Sequence, residues 1–138
     1  MDIERLLKTR LNGNLRLSAP VKEKITFDVE VLDDKVVFLP GYTKKRREVS
    51  WESIAKLMQY LMDKDWVEIG AMHGGKVKNG TLESLTDEFG IKEDGVVNYI
   101  AAFLKHGDFI EIDNNIPSKV RLIKSSLTDQ TIKNERHG

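Results

Sequence analysis

The residues best suited to bind a charged partner form the run Lys44-Lys45-Arg46-Arg47, the densest basic stretch in the chain. Four adjacent cations can contact the phosphates of a nucleic acid, and each neutralised phosphate adds a salt-dependent term to the affinity. The alternative is a solvated loop or strand edge whose charges prevent edge-to-edge aggregation. We favour phosphate contact, because four consecutive cations exceed what an ordinary surface loop carries.

Further cations lie in a segment rich in glycine and lysine, from Ala71 to Gly80. Lys76 and Lys78 are expected to join the basic run in contacting phosphates. The run from His73 to Lys76 (HGGK) invites comparison with a phosphate-binding loop, but it lacks the G-x-x-x-x-G-K-[ST] spacing. A flexible loop ending in the turn pair Asn-Gly is therefore the expected structure.

Carboxylates on and beside a predicted strand are the remaining candidates for chemistry. Asp28, Glu30, Asp33 and Asp34 could hold a divalent cation through oxygen, as in a metal-dependent nuclease. An alternating strand, however, places Asp28 and Glu30 on its solvent face, and two consecutive aspartates suit a tight turn. We therefore predict no metal site and no cofactor.

The side chains of common catalytic centres are missing or wrongly spaced. The chain has no cysteine, its three histidines lack the spacing of metal ligands, and no serine stands in a G-x-S-x-G turn. These patterns predict a protein that is not an enzyme.

The overall charge excludes binding driven by a global field. The chain has 138 residues, with 22 basic and 22 acidic side chains, so any attraction to nucleic acid must be local. Residues 1–50 carry 11 basic against 8 acidic side chains, and residues 51–124 carry 9 against 12. The absence of cysteine, and of an apolar run suited to a signal peptide or membrane span, predicts a cytoplasmic protein.

The N-terminal third has the periodicity of one helix and one hairpin. Residues 2–11 form an amphipathic helix, and a polar connection containing Pro20 follows. Residues 24–31 alternate apolar and polar side chains, and residues 35–39 return as a second strand.

The next segment begins with a strongly amphipathic helix. Ser50 can cap it, and apolar residues then repeat at three and four up to Met62. Trp66, Val67 and Ile69 form a short strand. The loop from Ala71 to Gly80 follows.

The stretch from Thr81 to Ile123 carries the most informative order of elements. A short helix capped by Thr81 ends at Gly90, and a longer amphipathic helix spans Glu93 to His106. Residues 108–123 then form two alternating strands around a turn.

A strand-turn-strand directly behind a helix-turn-helix resembles the winged helix-turn-helix domains, and the resemblance covers residues 50–124. It implies an α+β fold, with a winged helix-turn-helix core preceded by an N-terminal helix and a β-hairpin. The expected organisation is an extension over 1–49, the winged-helix domain over 50–124 and a mobile C-terminal tail over 125–138.

The resemblance also implies a function. Helix 93–106 would enter the major groove of double-stranded DNA, and wing 108–123 would touch the DNA backbone. The side chains placed for these contacts are Lys92, Asn98, Lys105, Lys119 and Arg121. A small transcriptional regulator is the leading hypothesis, and a homodimer would suit palindromic DNA.

A different class of function fits the same order of elements. Winged helices also serve as protein-interaction modules or as subunits of larger complexes. The acidic start of the second helix, Glu93-Asp94, would repel phosphates but would not hinder contact with a protein.

The DNA hypothesis makes a prediction about the basic run. If residues 44–47 contact phosphates, replacing all four with alanine will weaken duplex binding and flatten its dependence on salt concentration. Fluorescence anisotropy with a labelled duplex over a salt series measures both. An unchanged salt slope would remove these residues from the interface.

Overall fold

The computed structural model describes residues 2–18, 26–40, 46–70, 72–73, 76–93, 95–115 and 117–127. Over these residues the fold is mixed α+β, as predicted, with helices and antiparallel strands. In chain order the elements are α1 (Ile3–Arg10), β1 (Asn14–Ser18), β2 (Thr26–Val31), β3 (Lys35–Pro40), β4 (Arg47–Ser50), α2 (Trp51–Leu61), β5 (Val67–Glu68), β6 (Met72–His73), β7 (Lys76–Val77), a 3-10 turn (Glu83–Leu85), α3 (Thr86–Phe89), α4 (Val96–His106), β8 (Ile110–Asp113), β9 (Lys119–Leu122) and a second 3-10 turn (Lys124–Leu127).

The predicted hairpin is present as β2 and β3, and it forms the centre of a four-stranded antiparallel sheet in the order β1-β2-β3-β4. Two strands of this sheet were not predicted. We expected a polar connection where β1 lies, and a loop or strand edge where β4 lies. Both strands are short, and β1 offers only Leu15 and Leu17 to the apolar side, so their own pattern is weak. Pairing with the two strands of the central hairpin stabilises β1 and β4 despite this weak pattern.

The helices α1 and α2 begin where side chains cap them. The carboxylate of Asp2 accepts a hydrogen bond from the backbone N–H of Arg5 at 3.1 Å. The Ser50 hydroxyl accepts one from the N–H of Ser53 at 3.0 Å, as predicted. Each hydroxyl or carboxylate satisfies an N–H that has no partner inside the helix.

The second half of the chain follows the predicted order with shifted boundaries. The N–H of Ser84 donates to the Thr81 hydroxyl at 3.3 Å, and Gly90 ends α3 in a left-handed conformation, both as predicted. The helix predicted to begin at Glu93 begins at Val96 instead. Gly95 has a φ of +78°, which breaks the helical path immediately before it.

Residues 108–123 contain the predicted pair of strands, β8 and β9. Together with β5 they make a three-stranded antiparallel sheet in the order β5-β9-β8. The predicted loop at 71–80 instead contains two short paired strands, β6 and β7, with Met72 opposite Val77. Of the expected mobile tail, residues 125–127 complete a 3-10 turn with Leu127 buried, and residues 128–138 lie outside the described residues.

One hydrophobic core joins both parts of the chain. It includes Leu7 from α1, Phe27 from β2, Ile54 from α2 and Val120 from β9, each at most 1% exposed. The boundary predicted at residue 50 therefore falls between β4 and α2, which both contribute to this core.

Gly70 lets the end of β5 approach the start of the helix pair. Its φ is +82°, and a Cβ at this position would lie 2.6 Å from the Cβ of Thr81. Gly80 has nearly the same backbone angle, with a φ of +84°, but a Cβ there would meet no atom within 4 Å.

Substitution of these two glycines distinguishes the energetic cost of backbone strain from that of a steric clash. Gly80→Ala is expected to lower the free energy of unfolding by about 1–2 kcal/mol, since alanine disfavours the left-handed region. Gly70→Ala should lower it by roughly 1–3 kcal/mol more, because the added methyl also collides with Thr81. Urea denaturation measures both values. Equal losses would show that the close approach at Gly70 is not a constraint.

Candidate interaction surfaces

Helix α4 is buried on almost every side. Of its residues, only Lys105 and His106 are exposed, and Asn98 is half-buried. The buried residues are Val96, Val97, Tyr99, Ile100, Ala101, Ala102, Phe103 and Leu104. A helix that recognises bases must present several side chains to the groove, and α4 has little exposed surface to do so.

The four-stranded sheet packs against a side of α4 that would be exposed if α3 and α4 were present without this sheet. The rings of Phe27 and Tyr99 have centroids 4.7 Å apart, and those of Phe38 and Phe103 are 5.9 Å apart. Both distances lie in the range of favourable aromatic contact. The N-terminal strands therefore occupy one flank of α4.

The N-terminal end of α4 is occupied by a carboxylate of the same chain. Glu83 is 3% exposed, and its side chain accepts a hydrogen bond from the N–H of Gly95 at 2.9 Å. A negative group here is stabilised by the unpaired N–H groups and the positive end of the helix dipole. Glu83 thus places a buried carboxylate beside Gly95, the residue that precedes the first turn of α4.

The basic run divides at the start of β4. Lys44 and Lys45 lie outside the described residues. Arg46 is exposed, with its Nε 3.7 Å from a carboxylate oxygen of Glu48. Arg47 lies opposite Phe38 and so faces the core side of the sheet, where its guanidinium is 3.9 Å from the Glu93 carboxylate.

The contact of Arg47 with Glu93 gives both residues a structural role. It connects the edge strand β4 to the turn before α4. A cation of the same chain thus lies near one of the carboxylates that were expected to repel phosphates.

Lys119 and Arg121 lie on the central strand of the three-stranded sheet, with carboxylates on the neighbouring strands. Lys119 is opposite Glu68 on one side and Asp113 on the other. Arg121 is opposite Glu111, and its guanidinium lies 2.6 Å from that carboxylate. The hydrogen bond from Arg121 to Glu111 raises the pKa of the guanidinium above its ordinary value.

The remaining predicted contacts are dispersed. Lys76 begins β7, and the Lys78 ammonium lies 2.7 Å from the Glu68 carboxylate. Lys92 is exposed in the turn before α4, and Lys105 is exposed in its last turn. At 1.5 Å per residue, Val96 and Lys105 are separated by about 13 Å along the helix axis. Lys92 and Lys105 therefore lie at opposite ends of α4, with the half-buried Asn98 between them in the chain.

A surface around Trp66 was not anticipated from the sequence. Trp66 was expected only as a strand residue, but it is 38% exposed, and the Arg121 guanidinium stacks 4.4 Å from its ring centroid. Beside it opens a groove of about 370 Å³. The groove is lined by Tyr60, Lys64, Asp65, Trp66, Val67, Glu68, Asn79, Gly80, Thr81 and Lys119.

The charges on this Trp66 surface are balanced. We define the surface as Tyr60, Trp66 and the ionic side chains around them: Lys64, Lys78, Lys119 and Arg121 against Asp65, Glu68, Glu111 and Asp113. Equal numbers of opposite charges give no net attraction to a polyanion. The sequence carried no signal for this surface, because Trp66 was expected within the strand, and only the structure shows that the strand begins after it, at Val67.

The carboxylates considered for metal binding do not assemble into a site. Asp28 binds the guanidinium of Arg16 through both oxygens, at 2.8 and 3.2 Å. That hydrogen bond lowers the pKa of Asp28 below its usual range. Over the described parts of the chain, no group of three histidine, aspartate or glutamate side chains is arranged to hold a metal ion.

Comparison with known proteins provides no match: no protein-family model fits the chain, and no curated protein or solved structure is similar to it. None of the described helices has the length and apolar character needed to cross a membrane.

The Glu83 contact predicts a loss of stability on truncation. Glu83→Ala removes the acceptor for the Gly95 N–H and should lower the free energy of unfolding by about 1–3 kcal/mol, the cost of leaving a partly buried donor without its partner. Glu83→Gln keeps an oxygen that can accept this bond, so it should retain more stability than alanine. Urea denaturation of both variants tests the contact. Equal destabilisation by glutamine and alanine would show that the hydrogen bond is not responsible.

Proposed function

We propose that residues 50–124 form a winged-helix domain that acts as a protein-interaction module, with the Trp66 surface as its docking site. The order α2, β5, α3, α4, β8, β9 supports the winged-helix assignment. The enclosure of α4 is the observation that carries the proposed function. A winged helix that recognises bases needs this helix accessible to the groove, whereas an interaction module does not.

The side chains of the Trp66 surface are those that anchor protein interfaces. Tryptophan, tyrosine and arginine are the residue types most enriched among the few that provide most of the binding energy. Here Trp66, Tyr60 and Arg121 lie on or beside one groove. The Trp66 ring offers apolar area, and the stacked guanidinium holds the ring in place at little entropic cost.

The charge balance of the surface favours a protein over a nucleic acid. Affinity for DNA comes largely from unpaired cations that replace counterions on phosphates. Arg121 and Lys78 are already bound to carboxylates, and to reach a phosphate they would have to give up these partners. A protein partner can instead match the alternating charges individually.

The DNA hypothesis remains a prediction, and it can be tested directly. We expect a labelled random duplex to show no saturable binding at physiological salt below about 100 μM, the weak end of ordinary nonspecific affinity. Fluorescence anisotropy over a salt series provides the measurement. Micromolar binding with a steep salt dependence would overturn the proposal in favour of DNA.

A second experiment addresses the docking surface. Affinity capture from an extract of cells expressing the protein, with quantitative mass spectrometry, is compared for the wild type, Trp66→Ala and Leu32→Ala. Leu32 is a matched control, because it is also 38% exposed but lies in the turn between β2 and β3. We expect a partner that wild type and Leu32→Ala retain and Trp66→Ala loses.

The captured protein is then purified and its affinity measured by calorimetry. Truncation of an anchoring tryptophan costs about 2 kcal/mol or more, so Trp66→Ala should raise Kd by about 30-fold. Arg121→Ala should weaken binding in the same direction, since it removes the support of the ring. A Kd that neither substitution changes would exclude the Trp66 surface as the docking site.

A further inference from the structure

Strand β1 forms one edge of the four-stranded sheet. It pairs with β2 along its whole length, from Asn14 opposite Glu30 to Ser18 opposite Thr26. Among the described residues, the backbone of β1 pairs with no other strand and has no backbone hydrogen bond outside this ladder. Such an edge presents a row of N–H and C=O groups that can accept a further strand.

The apolar layer beneath the sheet is incompletely covered at this edge. Leu15 is opposite Val29, and Leu17 is opposite Phe27, so both leucines lie on the core side. Val29 and Phe27 are at most 1% exposed, whereas both leucines are only partly buried. A strand added beyond β1 would continue the layer and cover the remaining leucine surface.

The sequence of β1 is nearly symmetric about its centre. It reads Asn-Leu-Arg-Leu-Ser, with Arg16 in the middle. Two copies aligned antiparallel about Arg16 would place Leu15 of one opposite Leu17 of the other, on the core side. Asn14 would lie opposite Ser18 on the outer side. All five positions match in polarity, which a partner strand of arbitrary sequence would not achieve.

The central arginines would face each other across the axis, but their charges are already compensated. Arg16 holds Asp28 of the neighbouring strand through two hydrogen bonds, at 2.8 and 3.2 Å. The row across the axis would therefore run Asp28, Arg16, Arg16 and Asp28, with each arginine bound to the aspartate of its own copy. The strand also lacks proline and any inward-pointing charge, two devices that prevent edge pairing in monomeric proteins.

We propose that β1 is a self-association strand, by which two copies of the chain pair antiparallel about a twofold axis at Arg16. The two four-stranded sheets then form one sheet of eight strands. This assembly uses none of the residues of the Trp66 surface.

A single introduced cysteine tests the register, because the natural chain has none. Opposite residues of antiparallel strands have Cα atoms about 4.5–5.5 Å apart, which suits a disulfide. Arg16→Cys is therefore expected to form a covalent dimer under mild oxidation, seen on a non-reducing gel. Glu111→Cys, on the exposed side of β8, controls for random collisions.

The flanking positions distinguish this register from others. Asn14→Cys alone should not crosslink, because two copies of residue 14 would lie about 14 Å apart, four residues along the strand. A mixture of Asn14→Cys and Ser18→Cys should crosslink. If Arg16→Cys crosslinks no better than Glu111→Cys, or Asn14→Cys crosslinks equally well by itself, the proposed pairing is wrong.

Sedimentation equilibrium tests the association without a crosslink. The wild type is expected to approach twice the monomer mass of 15.8 kDa as its concentration rises. Leu17→Lys places a charge on the core side of the edge and should restore the monomer, whereas Leu32→Lys should not. Circular dichroism checks that both variants fold, and a wild type that stays monomeric at all concentrations would overturn the proposal. If Leu17→Lys does not fold, the comparison of Arg16→Cys with Glu111→Cys still tests the proposed pairing.

Discussion

The contact of Phe27 and Phe38 with Tyr99 and Phe103 joins the N-terminal sheet to helix α4. Aromatic pairs at these distances contribute about 0.5–1.5 kcal/mol each beyond the burial of their area. Trp51 adds a further ring, 6.1 Å from Phe103. Because these rings pack against α4, the sheet and the helix pair share one core. Their packing also decides which surfaces of the protein remain available to partners.

Ion pairing determines the electrostatic character of that remaining surface. Arg47 is near Glu93, Lys78 binds Glu68, and Arg121 binds Glu111. The last two pairs join residues ten positions apart on exposed surface, and pairs of this kind add little to stability individually. The first joins residues far apart in the chain and is partly buried. The main consequence of the three pairs is local neutralisation. Opposite charges thus cancel within single contacts, as they do over the whole chain. A surface of paired charges is better suited to a protein partner than to a polyanion.

The two proposed binding regions belong to different sheets. The Trp66 surface belongs to the three-stranded sheet, and the edge of β1, which no other described strand pairs with, belongs to the four-stranded one. They would also bind their partners through different kinds of interaction. The first offers side chains with exposed aromatic and charged groups, and the second offers backbone hydrogen-bonding groups with an apolar strip. Since they share no residue, a dimer formed through β1 would carry two Trp66 surfaces and could hold a divalent partner with increased avidity.

The sequence by itself determined the α+β class, the helices α1 and α2, the hairpin of β2 and β3, and the strand pair after α4. In each case a long enough apolar period, a capping residue or a turn cluster was present locally. The short strands β1 and β4 lacked such a signal, because two or three alternating residues do not distinguish a strand from a loop. Their neighbours in the sheet and the core beneath it stabilise them.

The roles of the candidate residues were decided by the tertiary structure. The sequence identified Arg47, Lys119 and Arg121 as cations, but the carboxylates that lie near or opposite them follow from strand register and from the packing of β4 beside α4. Likewise, the apolar stripe of α4 indicated one buried face, and the second covering layer came from strands about 60–70 residues earlier in the chain. Periodicity reports what a segment can bury, whereas contacts between distant segments decide what it leaves exposed.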